Sequence, residues 1–451
     1  MDRQGHTYKY APNAMNTLIN FICQYGCLFP GLETLHVISA ITSQLWLQLP
    51  KYLPYLARDA LQHLSVNTQY KQQGADISIY VDLPEIVPHM RSAWPGLRSI
   101  ELFDVSFRSL ESQLQRFAPH TNVWASLLGS LSKMRTLRVY LAALPSLLGP
   151  LSNLPLLHTL KIEHTGYYYQ KPRAWDTLES ESFHLSPSCF PSLVALDMHA
   201  SILKSALDPP MQVLNALGHS RTLTRLHMSL DVIQSSPGLS TTFEAVSRIS
   251  PLQYIHIIFP AMMQLDDSPS HNPKYTGLTV SGRLFSMLYS LPHLQTLELD
   301  TYSGGSFQVA IEDQDLRDAA IAWPDLRVIS LAKSSTILPR ISLEGVQTLY
   351  NICSNLREVS MSVNCDLQVE RTTRGWHIDT PTPKSRQRAL ERLYLTFVLR
   401  PEEEDWLMGQ LVVAAICSMF PQLDSFSPSL QDDPSAGTWG IDVGEQWRQR
   451  R

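Results

Sequence analysis

Four side chains carry the first chemical suggestion in this sequence: Asp197, His227, His256 and Glu298. Each sits at the centre of a copy of one leucine pattern. Copies stacked in parallel would set the four side by side, because neighbouring strands lie about 4.8 Å apart. Two imidazoles flanked by two carboxylates are donors that a divalent metal accepts, and imidazole is the side chain whose charge changes near neutral pH. A metal site and a proton switch are therefore the chemistries to weigh. The plain alternative is a solvated sheet face of mixed charge. Arg138 and Lys161 extend the row with the opposite sign, which favours the plain reading, and neither metal nor cofactor is assigned.

A second concentration falls between two copies. Tyr167, Tyr168 and Tyr169, with Lys171, Arg173 and Trp175, have the composition of a protein-binding hot spot. Large rings on a loop need either a partner or a shelf, so packing over the rim is the competing reading. Arg371, Arg374, Trp376 and His377 form a smaller cluster of the same kind. Motifs of catalysis are absent from the sequence: no phosphate-cradling glycine loop, no nucleophile elbow, no His-Glu-x-x-His. The close cysteine pair, Cys23 and Cys27, has helical i,i+4 spacing and fits a buried helix face better than a ligand pair. The chain is read as non-catalytic.

What must position these side chains is the leucine pattern itself. Its clearest copy is LPHLQTLELD at 291–300, where Leu294, Leu297 and Leu299 give Leu-x-x-Leu-x-Leu. The alternation Leu-x-Leu is a short strand burying one face, and a strand so short needs other copies beside it. Leu32/Leu35/Val37, Leu61/Leu64/Val66, Leu97/Ile100/Leu102, Met134/Leu137/Val139, Leu157/Leu160/Ile162 and Leu193/Leu196/Met198 come first. Leu223/Leu226/Met228, Leu252/Ile255/Ile257, Leu294/Leu297/Leu299, Leu326/Ile329/Leu331, Leu356/Val359/Met361 and Leu390/Leu393/Leu395 follow, and Leu423 with Phe426 opens another. The 391 residues from Leu32 to Leu423 make 12 steps with a mean near 33, and single steps run from 23 to 42. Such a period exceeds the roughly 20 to 29 residues of a regular leucine-rich repeat and leaves room for a helix in each.

Helical spacing is legible at 123–131, 211–217, 242–249, 284–291, 344–353 and 406–420, with Thr241 and Glu244 placed as a capping box at one start. Trp94-Pro95, Phe190-Pro191, Leu291-Pro292, Trp323-Pro324 and Phe420-Pro421 mark turns from helix to strand, since proline ends a helix and pushes the residue before it to extended geometry. The stretches 67–76, 165–187, 264–276 and 364–388 are polar, each follows a strand, and together they should gather on one rim. The expected fold is an α/β leucine-rich-repeat solenoid, a horseshoe with a parallel sheet on its concave face and helices on its convex face. Residues 1–28 are expected to form a helix or cap of the first repeat, 29–426 the irregular repeats, and 427–451 a tail or weak final cap.

Bulk properties set outer bounds. The chain has 451 residues, 44% hydrophobic and 17% charged, with a net charge of -5, so nothing in its bulk electrostatics favours nucleic acid or an anionic membrane. Six scattered cysteines and the absence of any Asn-x-Ser/Thr acceptor suit a reducing compartment. The polar start lacks the apolar core of a signal peptide, and the longest apolar run, 411–420, is about half the roughly 20 residues of a membrane span. A cytoplasmic or nuclear protein is expected.

The repeated units, their Phe/Trp/Leu-Pro junctions and their uneven length resemble the leucine-rich repeat region of fungal F-box proteins, over nearly the whole stretch from Phe29 to Phe426. That resemblance implies a solenoid that holds a substrate, and an N-terminal helix bundle that joins a Skp1-like adaptor of a ubiquitin ligase. The bundle is not visible in this chain. Its opening Leu-Pro-x-Glu-Ile string has a counterpart only at Leu83-Pro84-Glu85-Ile86, inside the repeats, and the asparagine that ends the family's frame stands only at Asn364. The alternative is a stand-alone structural or regulatory scaffold with no ubiquitin link. In either case the expected partner is a protein, met by Tyr167, Tyr168, Tyr169, Arg173 and Trp175 together with Lys161, Asp197, His227, His256 and Glu298.

Overall fold

Alternating side chains on a short strand bury one face, and in the computed structural model the leucine positions from Leu64 onward do so beside those of the next repeat. The structure describes residues 24, 29, 31–38, 60–67, 94–103, 131–140, 149, 151–163, 189–202, 209–232, 236–259, 279–301, 308–331, 339–364, 390–398, 405–430, 444–445 and 447–449. The chain divides into two compact units. One comprises Met1–Leu185 with Cys189–Leu193; the other comprises Ser186–Ser188 with Val194–Arg451.

The N-terminal unit holds five parallel strands in sequence order: β1 Thr34–Ile38, β2 His63–Asn67, β3 Ser99–Phe103, β4 Thr136–Tyr140 and β5 Thr159–Glu163. Their leucine positions align as Leu35↔Leu64, Leu64↔Ile100, Ile100↔Leu137 and Leu137↔Leu160. Leu64, Ile100, Leu137 and Leu160 are all buried.

In the C-terminal unit β6 Ala195–Ile202, β7 Arg225–Val232, β8 Tyr254–Phe259, β10 Thr296–Thr301, β12 Val328–Leu331, β13 Glu358–Asn364, β14 Arg392–Val398 and β15 Ser425–Leu430 form the same parallel arrangement. Between them run α1 Pro209–Leu217, α2 Ser236–Ser247, α3 Gly282–Met287, α4 Asp313–Ala322, α5 Leu343–Ile352 and α6 Asp405–Met419. A three-residue β9 (Thr279–Ser281) pairs in parallel with β11 (Gln308–Ala310) as a separate small sheet. Strand, turn, helix and return are the units of a leucine-rich repeat, and the α/β repeat fold read from the spacing is the one present. None of the helices among the described residues is long and apolar enough to cross a membrane.

Two backbone devices hold the repeats together. In the first, one carbonyl accepts two successive N–H groups of the next repeat: Gln253 O takes Gln295 N at 2.8 Å and Thr296 N at 2.9 Å, and Gln295 O takes Arg327 N and Val328 N. Thr224, Arg327 and Arg357 do the same in the C-terminal unit, as do Glu33, Gln62, Arg98 and Arg135 in the N-terminal one. In the second, the first residue of many frames donates its N–H to the carbonyl three residues back, as in Leu294 N to Leu291 O at 3.2 Å and Leu326 N to Trp323 O at 3.1 Å. The residue at the head of that turn is large and buried at Trp94, Phe190, Leu291, Trp323 and Phe420, whereas Phe29 is exposed.

The expectation that proline sets this junction is only half right. Leu291 (ψ 80°) and Trp323 (ψ 70°) precede proline, but Cys353 precedes Ser354 and still adopts φ -85°, ψ 89°. The frame imposes the geometry, and proline is merely compatible with it. Phe190 goes further, to φ 54°, where its ring is buried and its N–H is held by Ser152 O at 2.8 Å.

Among the described helices that the spacing announced, starts fall within two residues of the sequence reading except at α2. Thr241 and Glu244 do not cap α2, which begins at Ser236 with Pro237 in its first turn, and Glu244 pairs instead with Arg248 one turn on. The reciprocal cap occurs on α4, where Asp315 Oδ2 accepts the Glu312 N–H at 2.8 Å. The neighbouring Asp313 reaches the next helix: its carboxylate accepts Ser342 N at 2.7 Å and Ser342 Oγ at 2.6 Å, while Ser342 Oγ accepts Gly345 N at the head of α5. Room for that carboxylate exists because residue 345 has no side chain, and a Cβ there would collide with Asp313 Oδ1. Gly345→Ala should expel Asp313 from the helix start and destabilise the C-terminal unit by about 1 to 3 kcal/mol in urea titration. An unchanged midpoint would mean that the two helices do not meet through this carboxylate.

The sheet of the C-terminal unit ends on β15, which contains Pro428, a residue tolerated in sheets on edge strands because it has no N–H to donate. The indole of Trp447 lies 6.2 Å from the Phe426 ring, and a Cβ at Gly444 would touch Pro428 Cδ at 3.8 Å, so Gly444 and Trp447 pack against this last strand.

Candidate functional site

Alternation along β6, β7, β8 and β10 turns Leu196, Leu226, Ile255 and Leu297 into the core, and the intervening residues to the opposite face. Register then places Asp197 beside His227, His227 beside His256, and His256 beside Glu298, and the row continues through Ser330, Ser360 and Tyr394. In the N-terminal unit the corresponding row is His36, Ser65, Glu101, Arg138 and Lys161.

The four-residue ladder is a set of pairs. His227 Nδ1 lies 2.7 Å from Asp197 Oδ1, with side chains 33% and 39% exposed. His256 Nδ1 lies 3.7 Å from Glu298 Oε2, with 19% and 29% exposed. The two imidazoles face one another with centroids 4.8 Å apart, inclined by 40°. No group of three His, Cys, Asp or Glu side chains among the described residues could hold a metal ion. His227 directs its Nδ1 at a carboxylate, as a proton donor does.

A second row, two residues earlier on each strand, escaped the sequence reading. Arg225 places its guanidinium carbon 5.4 Å from the centroid of the Tyr254 ring, and the Tyr254 ring meets His256 edge-on at 6.5 Å. Arg392 Nη2 contacts Glu358 Oε2 at 2.5 Å. Counting one residue per strand missed these neighbours; extending the same period of two backwards by one step finds them.

Burial, and then the positive charge of His227, holds the pKa of His256 below its ordinary 6.5, with Asp300 and Asp197 pulling the other way. Burial, followed by the charges of Glu358 and Asp300, raises the Glu298 carboxyl above 4.5. Tyr254 is raised by burial and then by Glu298. For His256 the folded value is the lower one, so its contribution to stability is complete above pH 6.5 and is lost as pH falls through the folded value. For Glu298 the folded value is the higher one, so its contribution is complete below pH 4.5 and is lost as pH rises. Between pH 7 and 5.5 the urea midpoint of the wild type should therefore lose ground to that of His256→Gln, in which the histidine contribution is absent. Equal slopes in the two proteins would detach His256 from the pH dependence.

Tyr167, Tyr168, Tyr169, Arg173 and Trp175 lie outside the described residues, as do Arg371, Arg374, Trp376, His377, Cys23 and Cys27. Cys189 and Cys353 are buried, and burial pushes their thiols up to about 11 and about 12, well away from ligand or nucleophile behaviour.

No family model and no curated protein matches this chain. Among solved structures it is similar to TLR13 in the crystal structure of a TLR13-ssRNA13 complex, at 13% identity and a TM-score of 0.37. That match covers 82% of this chain and 50% of the other, so the chain spans about half the length of its structural neighbour.

Proposed function

We propose that this chain is a non-catalytic protein-binding scaffold whose contact surface includes the open sheet face of the C-terminal unit. The observation that carries this reading is the grouping on β7, β8 and β10 of an arginine against a tyrosine ring beside the half-buried His256 and Glu298. Tyrosine and arginine in a sheltered cluster are the residue types on which binding energy concentrates. Rigid parallel strands supply the positioning, so little conformational entropy is lost when a partner docks.

The test uses a partner recovered from native extract with the wild-type chain. Replacing Arg225, Tyr254 and Glu298 together by alanine should weaken it by about 2 kcal/mol or more, roughly 30-fold in Kd, with circular dichroism unchanged. Unaltered affinity would move the contact to the segment of Tyr168, Arg173 and Trp175, where the corresponding triple alanine variant gives the answer.

The resemblance to the repeat region of fungal F-box proteins supports a narrower reading, in which the partner is a ubiquitin-ligase substrate. Recovery of a Skp1-like adaptor in the same experiment would support it. A stable partner set without that adaptor would leave a scaffold with no ubiquitin link.

A further inference from the structure

We infer that His256 is the moving part of a proton-operated switch on this face, its ring turning out toward Glu298 when it takes up a proton. The inference rests on the reading of the face as a binding surface for its purpose, but not for its mechanism. The charged and titratable groups around the ring are Arg225 and His227 on β7, Asp197 on β6, Glu298 and Asp300 on β10, and Tyr254 on its own strand.

The geometry suits the neutral ring and opposes the charged one. His256 Nε2 is buried and finds no hydrogen-bond partner among the described residues, while Nδ1 looks toward Glu298 at 3.7 Å. In the tautomer with the proton on Nδ1, Nε2 is a lone pair lacking a donor, which costs less than a buried charged N–H lacking an acceptor. A second proton turns Nε2 into a buried donor with no acceptor and sets a positive charge 4.8 Å from the centroid of the neighbouring imidazole. His227 is tied through Nδ1 to Asp197 at 2.7 Å, so it is the poorer candidate to yield. Rotation of His256 relieves both penalties at once: Nε2–H reaches solvent and Nδ1–H closes on Glu298. A partner seated across Tyr254 and His256 would meet a face of different shape and charge on either side of the transition.

The full chain with isotopically labelled histidine allows the switch to be read by NMR between pH 8 and 5, the His256 signals being those lost in His256→Gln. Above the midpoint the nitrogen shifts should report the Nδ1–H tautomer and the ring should show contacts to His227; below it those contacts should vanish. His227→Gln should raise the midpoint by about half a pH unit, the effect of a unit charge about 5 Å away in a water-like dielectric, and Glu298→Gln should lower it. A midpoint indifferent to His227→Gln, or a ring contact that persists at pH 5, would overturn the inference. If His227→Gln does not fold, His227→Asn removes the same charge and serves in its place. A failed switch leaves the partner affinities of the alanine variants untouched, whereas a failed binding surface leaves the titration intact.

Discussion

Trp323→Ala should lower the unfolding free energy of the C-terminal unit by about 3 to 5 kcal/mol, the range for truncating a buried large aromatic. The ring is fully buried and is met edge-on by Phe285 at 5.5 Å and Tyr289 at 5.7 Å, contacts worth about 0.5 to 1.5 kcal/mol each beyond the area they bury. Its Nε1–H donates to Leu288 O at 3.1 Å, but that carbonyl also accepts Leu291 N–H at 3.0 Å. Truncation therefore opens a cavity without stranding an acceptor. Trp323→Phe should recover most of the loss, because the edge contacts matter more than the indole N–H. A loss below about 1 kcal/mol in urea titration of the alanine variant would mean that the turn closes without its large head residue.

Leu297→Ala should cost about 2 to 5 kcal/mol, and Glu298→Ala, one residue on, less than about 0.5. Leu297 is fully buried between Ile255 and Ile329, while Glu298 faces away from the core. With a side-chain period of two, a slip of one residue in register exchanges the two outcomes, so the pair of variants tests the frame itself. Silence at Leu297 would mean that the repeat frame had been misassigned.

Legibility followed periodicity. Leu297 and Leu299, and their equivalents in repeat after repeat, announce the strands, and once strands are parallel and in step the mid-strand row needs no further information. That is why Asp197, His227, His256 and Glu298 could be set side by side from spacing alone. The helix α4 was not legible, because DQDLRDAAIA is polar on average and buries a single large side chain, Leu316, with Ala319 and Ala320. The strands β9 and β11 are three residues each, too short for an alternation to declare itself. The start of α2 was read six residues late because Ser-Pro-Gly looks like a loop, although proline is at home in a helix's first turn. Which partners the four site residues choose was also beyond reach. Register fixes neighbours, but whether His227 leans to Asp197 or to His256 depends on side-chain rotamers.

Pro428 bears on how such an array changes over generations. Repeat proteins lengthen by tandem duplication, and each new copy must offer its strand to an edge that can receive it. A copy inserted between existing repeats finds the two-pronged carbonyl of its predecessor ready. A copy placed directly after β15 would meet a strand lacking the N–H of residue 428 and already packed against Trp447. Inheritance of extra length is thereby steered into the interior of the array. The same blunted edge deprives a second molecule of a template on which to stack strand against strand, which guards the fold against fibre growth from that side.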